Sequence, residues 1–347
     1  MSNKTFAGNF FEDFRVGQVI KHATPRTITE GDVALYTALY GPRFAVNSSD
    51  EFARSMGLPR APVDDILAFH MVFGKTVPDV SLNAVANLGY ANGKFGVPVF
   101  PGDTVTTTST VTGLKQNSNG KTGVVYVNSV GKNQHGHVVL DYTRWVMVNK
   151  KDQSKPAPEE VVPSLPKSVP AEELQLPQFK LENYDTVLSG SKFTWGDYEV
   201  GEKIDHVDGM TIEEAEHQLA TRLYQNTAKV HFDQFAANEG RFKRRLIYGG
   251  HIISLARCLS FNGLANAFKV LAINAGSHAN PTFAGDTIYA YSEVLETIEL
   301  PSRSVGALRV RTVATKNRPA AEFPYKRDGK YDDAVVLDFD YTVALPR

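Results

Sequence analysis

Two polar side chains that could do acid–base chemistry, Asn226 and His231, lie five residues apart in the second half of the chain. Imidazole has an ordinary pKa close to neutral pH, whereas an amide can orient water or a carbonyl but cannot act as a base. If Asn226 lies on a loop and His231 begins the next helix, both can converge on one small ligand. We therefore predict that His231 transfers protons and that Asn226 places the reacting water or hydroxyl. The alternative is a structural histidine at a helix start.

A glycine pair, Gly249 and Gly250, precedes an apolar stretch that we predict to be a helix. Glycine lets the backbone approach a ligand closely, and the free N–H groups of a helix N-terminus stabilise negative charge. A carbonyl oxygen that gains negative charge during a reaction needs such donors. We predict an oxyanion site near Gly250, with a plain glycine-rich loop before a core helix as the alternative.

An internal repeat predicts the elements that position these residues. Residues 13–18, Asp-Phe-Arg-Val-Gly-Gln, return 184 positions later as Asp-Tyr-Glu-Val-Gly-Glu. Residues 98–105, Pro-Val-Phe-Pro-Gly-Asp-Thr-Val, return 183 positions later as Pro-Thr-Phe-Ala-Gly-Asp-Thr-Ile. Five such blocks recur in the same order. We predict two copies of one unit, residues 1–150 and 189–347, joined by an extended proline-rich linker at residues 151–188.

Each unit has the pattern of a helix wrapped by a sheet. A short helix, residues 30–40, precedes a longer helix near residues 66–75, whose second copy we place near residues 252–267. Segments rich in Val, Thr and aromatic residues follow and predict antiparallel strands, which in the first unit are residues 104–112, 123–130 and 138–148. This pattern predicts an α+β fold with a curved sheet around the helix. An insertion at residues 316–333 is predicted to be a solvated surface loop.

Composition argues against several functional classes. The 347 residues carry a formal net charge of −1, so no overall positive field attracts nucleic acid or an acidic membrane. We find no signal sequence at the N-terminus and no apolar run long enough to span a membrane. The single cysteine, Cys258, excludes an intrachain disulfide and argues against a cysteine-based zinc site. We therefore expect a cytoplasmic protein.

Only the second unit keeps a group that can exchange protons. At the repeat offset of 184, Pro42 takes the position of Asn226, and Asn47 takes the position of His231. Proline has no titratable group, and asparagine does not exchange protons near neutral pH. We therefore predict that the second unit reacts and that the first unit supplies binding surface.

The residues that end at His231 resemble the hydratase motif of the MaoC-like, (R)-specific enoyl-CoA hydratases, Tyr-x-x-Ser-Gly-Asp-x-Asn-Pro-hydrophobic-His. Val230 and His231 match this motif. Asn226, Ala228 and Lys229 replace its aspartate, asparagine and proline. The resemblance implies a hot dog fold in each unit and a double hot dog fold for the chain. It also implies a CoA thioester as substrate, with neither a metal nor an organic cofactor.

Longer matching segments point to one group of enzymes within this family. Residues 8–14, 22–36 and 73–83 are similar to those of the β-methylmalyl-CoA dehydratases, also called mesaconyl-CoA hydratases. This implies a hydro-lyase that reversibly dehydrates (2R,3S)-β-methylmalyl-CoA to mesaconyl-CoA, as in acetate assimilation by the ethylmalonyl-CoA pathway or in glyoxylate metabolism. Mesaconyl-CoA has a carboxylate on the carbon that receives the hydroxyl. An aspartate at position 226 would face this second negative charge, and Asn226 removes the repulsion.

The resemblance also implies where the thioester binds. The pantetheine arm is expected along the strand region that follows the first long helix, with ordinary core strand as the alternative. Arg60 is the candidate contact for a phosphate or a substrate carboxylate. The full set of expected contacts is Arg60, Ala61, Pro62, Val63, Ala86, Asn87, Leu88, Gly89, Val97, Pro98 and Val99. His251 stands where the family has methionine, and we expect it to be structural.

Two other functions remain open at this point. A hot dog acyl-CoA thioesterase would use the same pocket but attack the carbonyl carbon. A non-catalytic acyl-CoA-binding subunit would explain why one unit lost its reactive residues and the other lacks the acid. We expect a homodimer or a higher homo-oligomer, without nucleic acid or membrane partners.

Overall fold

All but two of the strands join one long antiparallel sheet. The computed structural model describes residues 4–347. The strands are β1 (Val19–Lys21), β2 (Arg26–Thr27), β3 (Ala84–Phe95), β4 (Thr104–Gln116), β5 (Thr122–Lys132), β6 (Val138–Asn149), β7 (Lys203–Thr211), β8 (Lys269–His278), β9 (Thr287–Ile298), β10 (Val305–Lys316), β11 (Lys326–Arg327), β12 (Lys330–Tyr331) and β13 (Val335–Pro346). The α-helices are α1 (Glu30–Tyr40), α2 (Ala45–Ser48), α3 (Asp50–Ser55), α4 (Asp65–Thr76), α5 (Glu214–Leu223), α6 (Lys229–Phe232), α7 (Gln234–Ala237), α8 (Gly249–Leu259) and α9 (Phe261–Leu264).

The sheet order places the two copies end to end. It runs β1-β4-β5-β6-β3-β8-β13-β10-β9-β7, and β2 also pairs with β4. The copies meet where β3 pairs with β8, with Tyr90 opposite Gly276 and Lys94 opposite Ala272. A Cβ atom on Gly276 would lie 2.7 Å from the Tyr90 ring, so a glycine is needed for the two halves to join at this point.

The helices α4 and α8 lie against the sheet and form the centre of the core, and nearly every residue of both is buried. Equivalent residues of the two copies meet there. His70 lies 2.9 Å from Ser254, Tyr40 lies 2.8 Å from Tyr224, and the members of each pair are 184 residues apart. Equivalent residues can touch each other only near a two-fold axis, so a local two-fold axis passes between the copies. The fold is therefore the duplication that the repeat predicts.

Local signals set the ends of the helices. The Thr29 hydroxyl accepts the backbone N–H of Asp32 at 3.2 Å at the start of α1, a cap that stabilises a helix by about 1 kcal/mol. Gly41, with φ of 60°, ends α1 where the sequence predicts. In the second copy α8 ends at Leu259, short of the predicted end, and in the short helix α9 that follows the backbone leaves helical geometry at Gly263, which has φ of 108°. Among the helices of residues 4–347, none is long and apolar enough to cross a membrane.

Two segments predicted to be solvent-exposed contribute to packing. The linker follows an extended path, yet Leu181 is buried and Phe179 packs edge-on against Phe268 with ring centroids 4.9 Å apart. The insertion folds as the hairpin β11–β12, and its Phe323 packs on Tyr291 at 5.2 Å between ring centroids. The prediction of a wholly solvated loop is wrong for the insertion, because its aromatic residues cover the outer part of the sheet.

Candidate active site

A cavity of about 260 Å³ lies near the boundary between the two repeats. The second repeat contributes the segment from Asn226 to His231, residues 246–249 and the end of β8. The first repeat contributes the end of α4, the start of β3 and the middle of β6. The site is therefore shared, because the proton-transfer group comes from one repeat and much of the wall comes from the other.

His231 is held as a neutral base at the cavity wall. Its Nδ1 lies 2.8 Å from the carbonyl oxygen of Leu246. A carbonyl can only accept, so Nδ1 carries the proton and Nε2 keeps an unshared electron pair. Burial lowers the pKa of His231 to about 4, although the Leu246 carbonyl acts in the opposite direction. At neutral pH the imidazole is thus uncharged and able to accept a proton.

Asn226 offers hydrogen-bond donors to the cavity. The residue is buried, and its Oδ1 accepts the backbone N–H of Ala228 at 3.1 Å. This bond fixes the amide at the start of α6 and leaves the NH₂ group to face a ligand. An amide NH₂ group can only donate, so Asn226 can hold the oxygen of water or a hydroxyl but cannot remove a proton.

The N-terminus of α8 is open, whereas its counterpart in the first repeat is capped. In α4 the Asp64 carboxylate accepts the backbone N–H of Ile66 at 2.8 Å. The equivalent residue before α8 is Tyr248, whose side chain makes no such bond. Within residues 4–347 the N–H groups of Gly249 and Gly250 have no acceptor. These groups can therefore stabilise an oxyanion that forms at the cavity wall.

The two glycines are also required for space. A Cβ atom on Gly249 would lie 2.3 Å from the His278 ring, and one on Gly250 would lie 2.4 Å from the Tyr248 ring. Gly249 lines the cavity, and Gly250, the predicted oxyanion residue, lies directly after it in the first turn of α8. No residue with a side chain fits at either position without displacing an aromatic ring.

Several buried histidines lie outside the cavity. The backbone N–H of Tyr248 donates to His217 Nε2 at 2.9 Å, and His251 Nδ1 lies 2.8 Å from the Tyr40 hydroxyl. Burial lowers the pKa of four buried histidines, to about 3 in His70, 4 in His206, 2 in His217 and 3 in His251. These four buried histidines are therefore neutral at pH 7, and none of them lines the cavity.

The predicted substrate contacts of β3 fall partly at the cavity. Ala86 and Asn87 line it. Leu88 does not line it, and 37% of its surface is exposed. Gly89 packs against the ring of Trp145, where a Cβ atom would lie 2.3 Å away. Residues 84–87 and Tyr90 of β3 thus supply one wall of the cavity.

The other predicted contacts lie around the equivalent site of the first repeat. They are Arg60, Ala61, Pro62, Val63, Val97, Pro98 and Val99, and none of them lines the cavity. Arg60 pairs instead with Glu30 at 2.7 Å. The Asn47 amide donates to the Pro62 carbonyl at 3.1 Å, which copies the imidazole bond of the second repeat. Asn47 thus keeps the structural hydrogen bond and lacks the base.

Apolar side chains pack over this first-repeat site. Leu174, Leu176 and Phe179 of the linker lie against a buried cluster that includes Phe268, which precedes β8, and Leu271 of β8. At the first-repeat site β8 occupies the position that β3 occupies at the cavity of the second repeat. The linker therefore covers the equivalent site of the first repeat.

Comparisons with known proteins identify the family to which this chain belongs. A family model described as mesaconyl-CoA hydratase matches residues 2–328. The β-methylmalyl-CoA dehydratase of Chloroflexus aurantiacus is 67% identical, over 100% of this chain and 99% of its own length. The mesaconyl-CoA hydratase of Cereibacter sphaeroides is 60% identical, over 99% of this chain and 100% of its own. The chain belongs to the mesaconyl-CoA hydratase family.

Solved structures give the same fold for this member of the mesaconyl-CoA hydratase family. The crystal structure of a MaoC domain protein from Chloroflexus aurantiacus superposes with a TM-score of 0.98 at 67% identity, covering 100% of this chain and 99% of that one. A solved structure with this architecture is described as a double hot dog fold. The predicted α+β double hot dog fold is therefore confirmed.

His278 and Arg144 are among the polar residues that line the cavity of this mesaconyl-CoA hydratase family member and were not predicted from the sequence. His278 ends β8, its Nε2 lies 3.2 Å from the Tyr90 hydroxyl, and burial lowers its pKa to about 4. Arg144 lies in β6 and is fully buried. The alternation of β6 gives a signal for Arg144, because it stands in the inward series Leu140, Tyr142, Arg144, Val146 and Val148. A charged residue at an inward position of an apolar series indicates a site.

Proposed function

We propose that this protein is a hydro-lyase that interconverts (2R,3S)-β-methylmalyl-CoA and mesaconyl-CoA by acid–base catalysis. One observation carries the proposal: His231 presents an unprotonated Nε2 to a cavity shared by both repeats, beside the open N-terminus of α8. The full-length relatives named for this reaction support it.

In the dehydration direction, Nε2 of His231 takes the proton from the carbon next to the thioester. The electron pair of that C–H bond moves towards the thioester oxygen, and the enolate is stabilised by the N–H groups of Gly249 and Gly250. The C–O bond to the hydroxyl then breaks while the double bond forms. The hydroxyl takes the proton from the imidazolium and leaves as water, which restores the neutral imidazole.

Asn226 sets the position of the departing or incoming oxygen. Its NH₂ group donates to the hydroxyl, which holds this oxygen within reach of Nε2 of His231. Because Asn226 supplies no acidic proton, a single imidazole serves both carbons, and the hydrogen and the hydroxyl add to the same face of the double bond. Acid–base catalysis of this kind contributes about 10²- to 10⁴-fold to the rate.

A spectrophotometric assay with the purified chain tests this function. Mesaconyl-CoA should lose the absorbance of its conjugated double bond, and the product should have gained the mass of one water. Release of free thiol before the double bond is lost would contradict a hydro-lyase and favour a thioesterase. Binding of mesaconyl-CoA without any change would favour a non-catalytic acyl-CoA-binding subunit.

We also propose that the protein works in the cytoplasm as a homodimer or higher homo-oligomer, in acetate assimilation by the ethylmalonyl-CoA pathway or in glyoxylate metabolism. The resemblance of its sequence to the family supports this setting. Light scattering of the eluted full-length chain tests the assembly, and a mass of one chain of 38.2 kDa would contradict it.

A further inference from the structure

Arg144 is a fully buried cation without an acidic partner. Its guanidinium donates to Thr76 Oγ1 at 2.8 Å, Ser81 Oγ at 3.2 Å and Asn87 Oδ1 at 3.5 Å. Its other close neighbour is the Phe73 ring, with the guanidinium carbon 4.2 Å from the ring centroid. Within residues 4–347 it forms no ion pair, and its Nε has no acceptor.

A buried charge with only neutral partners is strongly unfavourable, because these partners do not replace the lost hydration. Elsewhere in the same sheet the chain supplies the missing charge. Lys269 pairs with Asp65 at 2.8 Å, and Arg309 pairs with Asp340 at 2.6 Å. The guanidinium of Arg144 therefore has capacity for an anion that the chain itself does not supply.

The position of Arg144 indicates which anion this is. It lines the cavity that holds Asn226 and His231, and it is the only charged side chain among the residues of 4–347 that do so. The Nδ2 of Asn87, which lines the same cavity, is also buried without an acceptor. One wall of the cavity thus offers a cation and an amide donor to a ligand, and no carboxylate of the described chain competes for them.

The repeat shows that this arginine belongs to one site only. Residues 138–142 return as residues 335–339, so Arg144 corresponds to Tyr341 in the second copy. The arginine is therefore present only in β6, the strand beside β3, which forms the wall of the reactive cavity. A purely structural part of the hot dog unit would be expected in both copies.

We propose that Arg144, assisted by Asn87, binds the free carboxylate of the acyl group and so selects thioesters of dicarboxylic acids over plain enoyl thioesters. The proposal rests on the proposed function, which places a carboxylate on the carbon that receives the hydroxyl. Charge-assisted hydrogen bonds from a guanidinium hold a carboxylate strongly and directionally. Fixing this carboxylate also fixes the neighbouring carbon for hydration beside Asn226.

The test compares two substrates that differ only in the carboxylate. They are mesaconyl-CoA and (E)-2-methylbut-2-enoyl-CoA, which carries a methyl group in its place. In Arg144→Gln we expect kcat/KM for mesaconyl-CoA to fall by at least about 30-fold, the effect of removing one partner from a buried charged pair. The methyl substrate should be turned over as by the wild type, which also shows that the variant folds. Arg54→Gln, an exposed arginine of α3, serves as the control for loss of one positive charge.

A second variant keeps the arginine and blocks it. Asn87→Asp places a carboxylate where the Asn87 oxygen now lies, 3.5 Å from the guanidinium. This internal anion should compete with the substrate carboxylate, so the variant should lose activity on mesaconyl-CoA by at least about 10-fold and keep activity on the methyl substrate. The Asn87→Asp variant tests the role of Arg144 even if Arg144→Gln does not fold.

The outcomes distinguish the role of Arg144 from the proposed function. Equal losses on both substrates in the folded variants, or no loss on mesaconyl-CoA, would overturn the role of Arg144. If the wild type hydrates neither substrate, the proposed function fails instead. Calorimetric binding of the two thioesters then tests Arg144 separately, since only the affinity for mesaconyl-CoA should fall in Arg144→Gln, and equal affinities would refute the carboxylate site.

Discussion

The asparagine that replaces the aspartate of the motif allows the sharpest perturbation. In Asn226→Asp the new side chain has the same shape, and one of its oxygens can still accept the Ala228 N–H that now lies 3.1 Å from Oδ1. The start of α6 should therefore be unchanged. What changes is that a negative charge enters the cavity that receives a substrate carboxylate.

The size of the effect follows from the dimensions of the cavity. Two unit charges about 6 Å apart at an effective dielectric constant of about 20 repel by about 2.8 kcal/mol, or about 100-fold. Attraction between the new carboxylate and Arg144, which lines the same cavity, reduces this figure. We therefore expect kcat/KM for mesaconyl-CoA to fall by about 10- to 100-fold. Crotonyl-CoA has no carboxylate, so its hydration should be unchanged or faster.

Steady-state hydration of the two thioesters measures this effect. Asn238→Asp, which adds the same charge at an exposed position, is the control. The new carboxylate should also raise the pKa of His231 from about 4, so the acid limb of kcat/KM for crotonyl-CoA should move to higher pH. Equal losses on mesaconyl-CoA and crotonyl-CoA would refute the argument from charge.

Three further predictions concern the glycines, the linker and pH. Gly249→Ala should lower kcat/KM by about 10-fold or more, because its Cβ would lie 2.3 Å from the His278 ring, whereas Gly196→Ala, with open space at its Cβ, should have no effect. Phe179→Ala, which removes the contact with Phe268, should lower the free energy of unfolding by about 1–3 kcal/mol in denaturant titrations while kcat stays unchanged; an unchanged stability would show that the linker is merely extended. The four buried histidines have pKa values of about 2 to 4 in the folded chain against an ordinary 6.5, so the unfolded chain binds protons first and stability is lost as pH falls below 6.5. Each of these histidines can lower the free energy of unfolding by up to about 1.4 kcal/mol by pH 5.5. A melting temperature that stays constant from pH 7.5 to 5.5 would contradict this prediction.

The duplicated fold could be predicted from the sequence because its signal is local and doubled. Matched blocks at one offset give two copies without any knowledge of tertiary contacts, and the family resemblance gives the fold. The contrast between His231 and Asn47 likewise identifies the copy with the base. The structure adds the reason why Asn47 persists, which is its hydrogen bond to the Pro62 carbonyl at 3.1 Å.

The composition of the cavity could be predicted only in part. The family resemblance places Ala86 and Asn87 of the first copy beside the substrate, and both line the cavity of His231. It also places Val97 to Val99 there, and these residues do not line the cavity. The antiparallel pairing of β3 with β8 brings β3, and not the segment that follows it, to this cavity.

The linker shows a second limit on what composition can predict. Its prolines predict the lack of regular structure, but they say nothing about where the intervening apolar side chains go. Leu176 and Phe179 find buried partners over the first-repeat site, which depends on the three-dimensional position of β8. A proline-rich segment can therefore be extended and packed at once.

The most direct test of the account is the hydration of mesaconyl-CoA by His231→Asn. This substitution installs the residue that the first repeat already has, whose amide donates to a carbonyl at 3.1 Å, so the local hydrogen bond should survive while the base is lost. We predict a fall in kcat of about 10²- to 10⁴-fold with unchanged affinity for mesaconyl-CoA by calorimetry. A variant that retains more than about a tenth of the wild-type kcat would contradict the claim that this imidazole carries the protons.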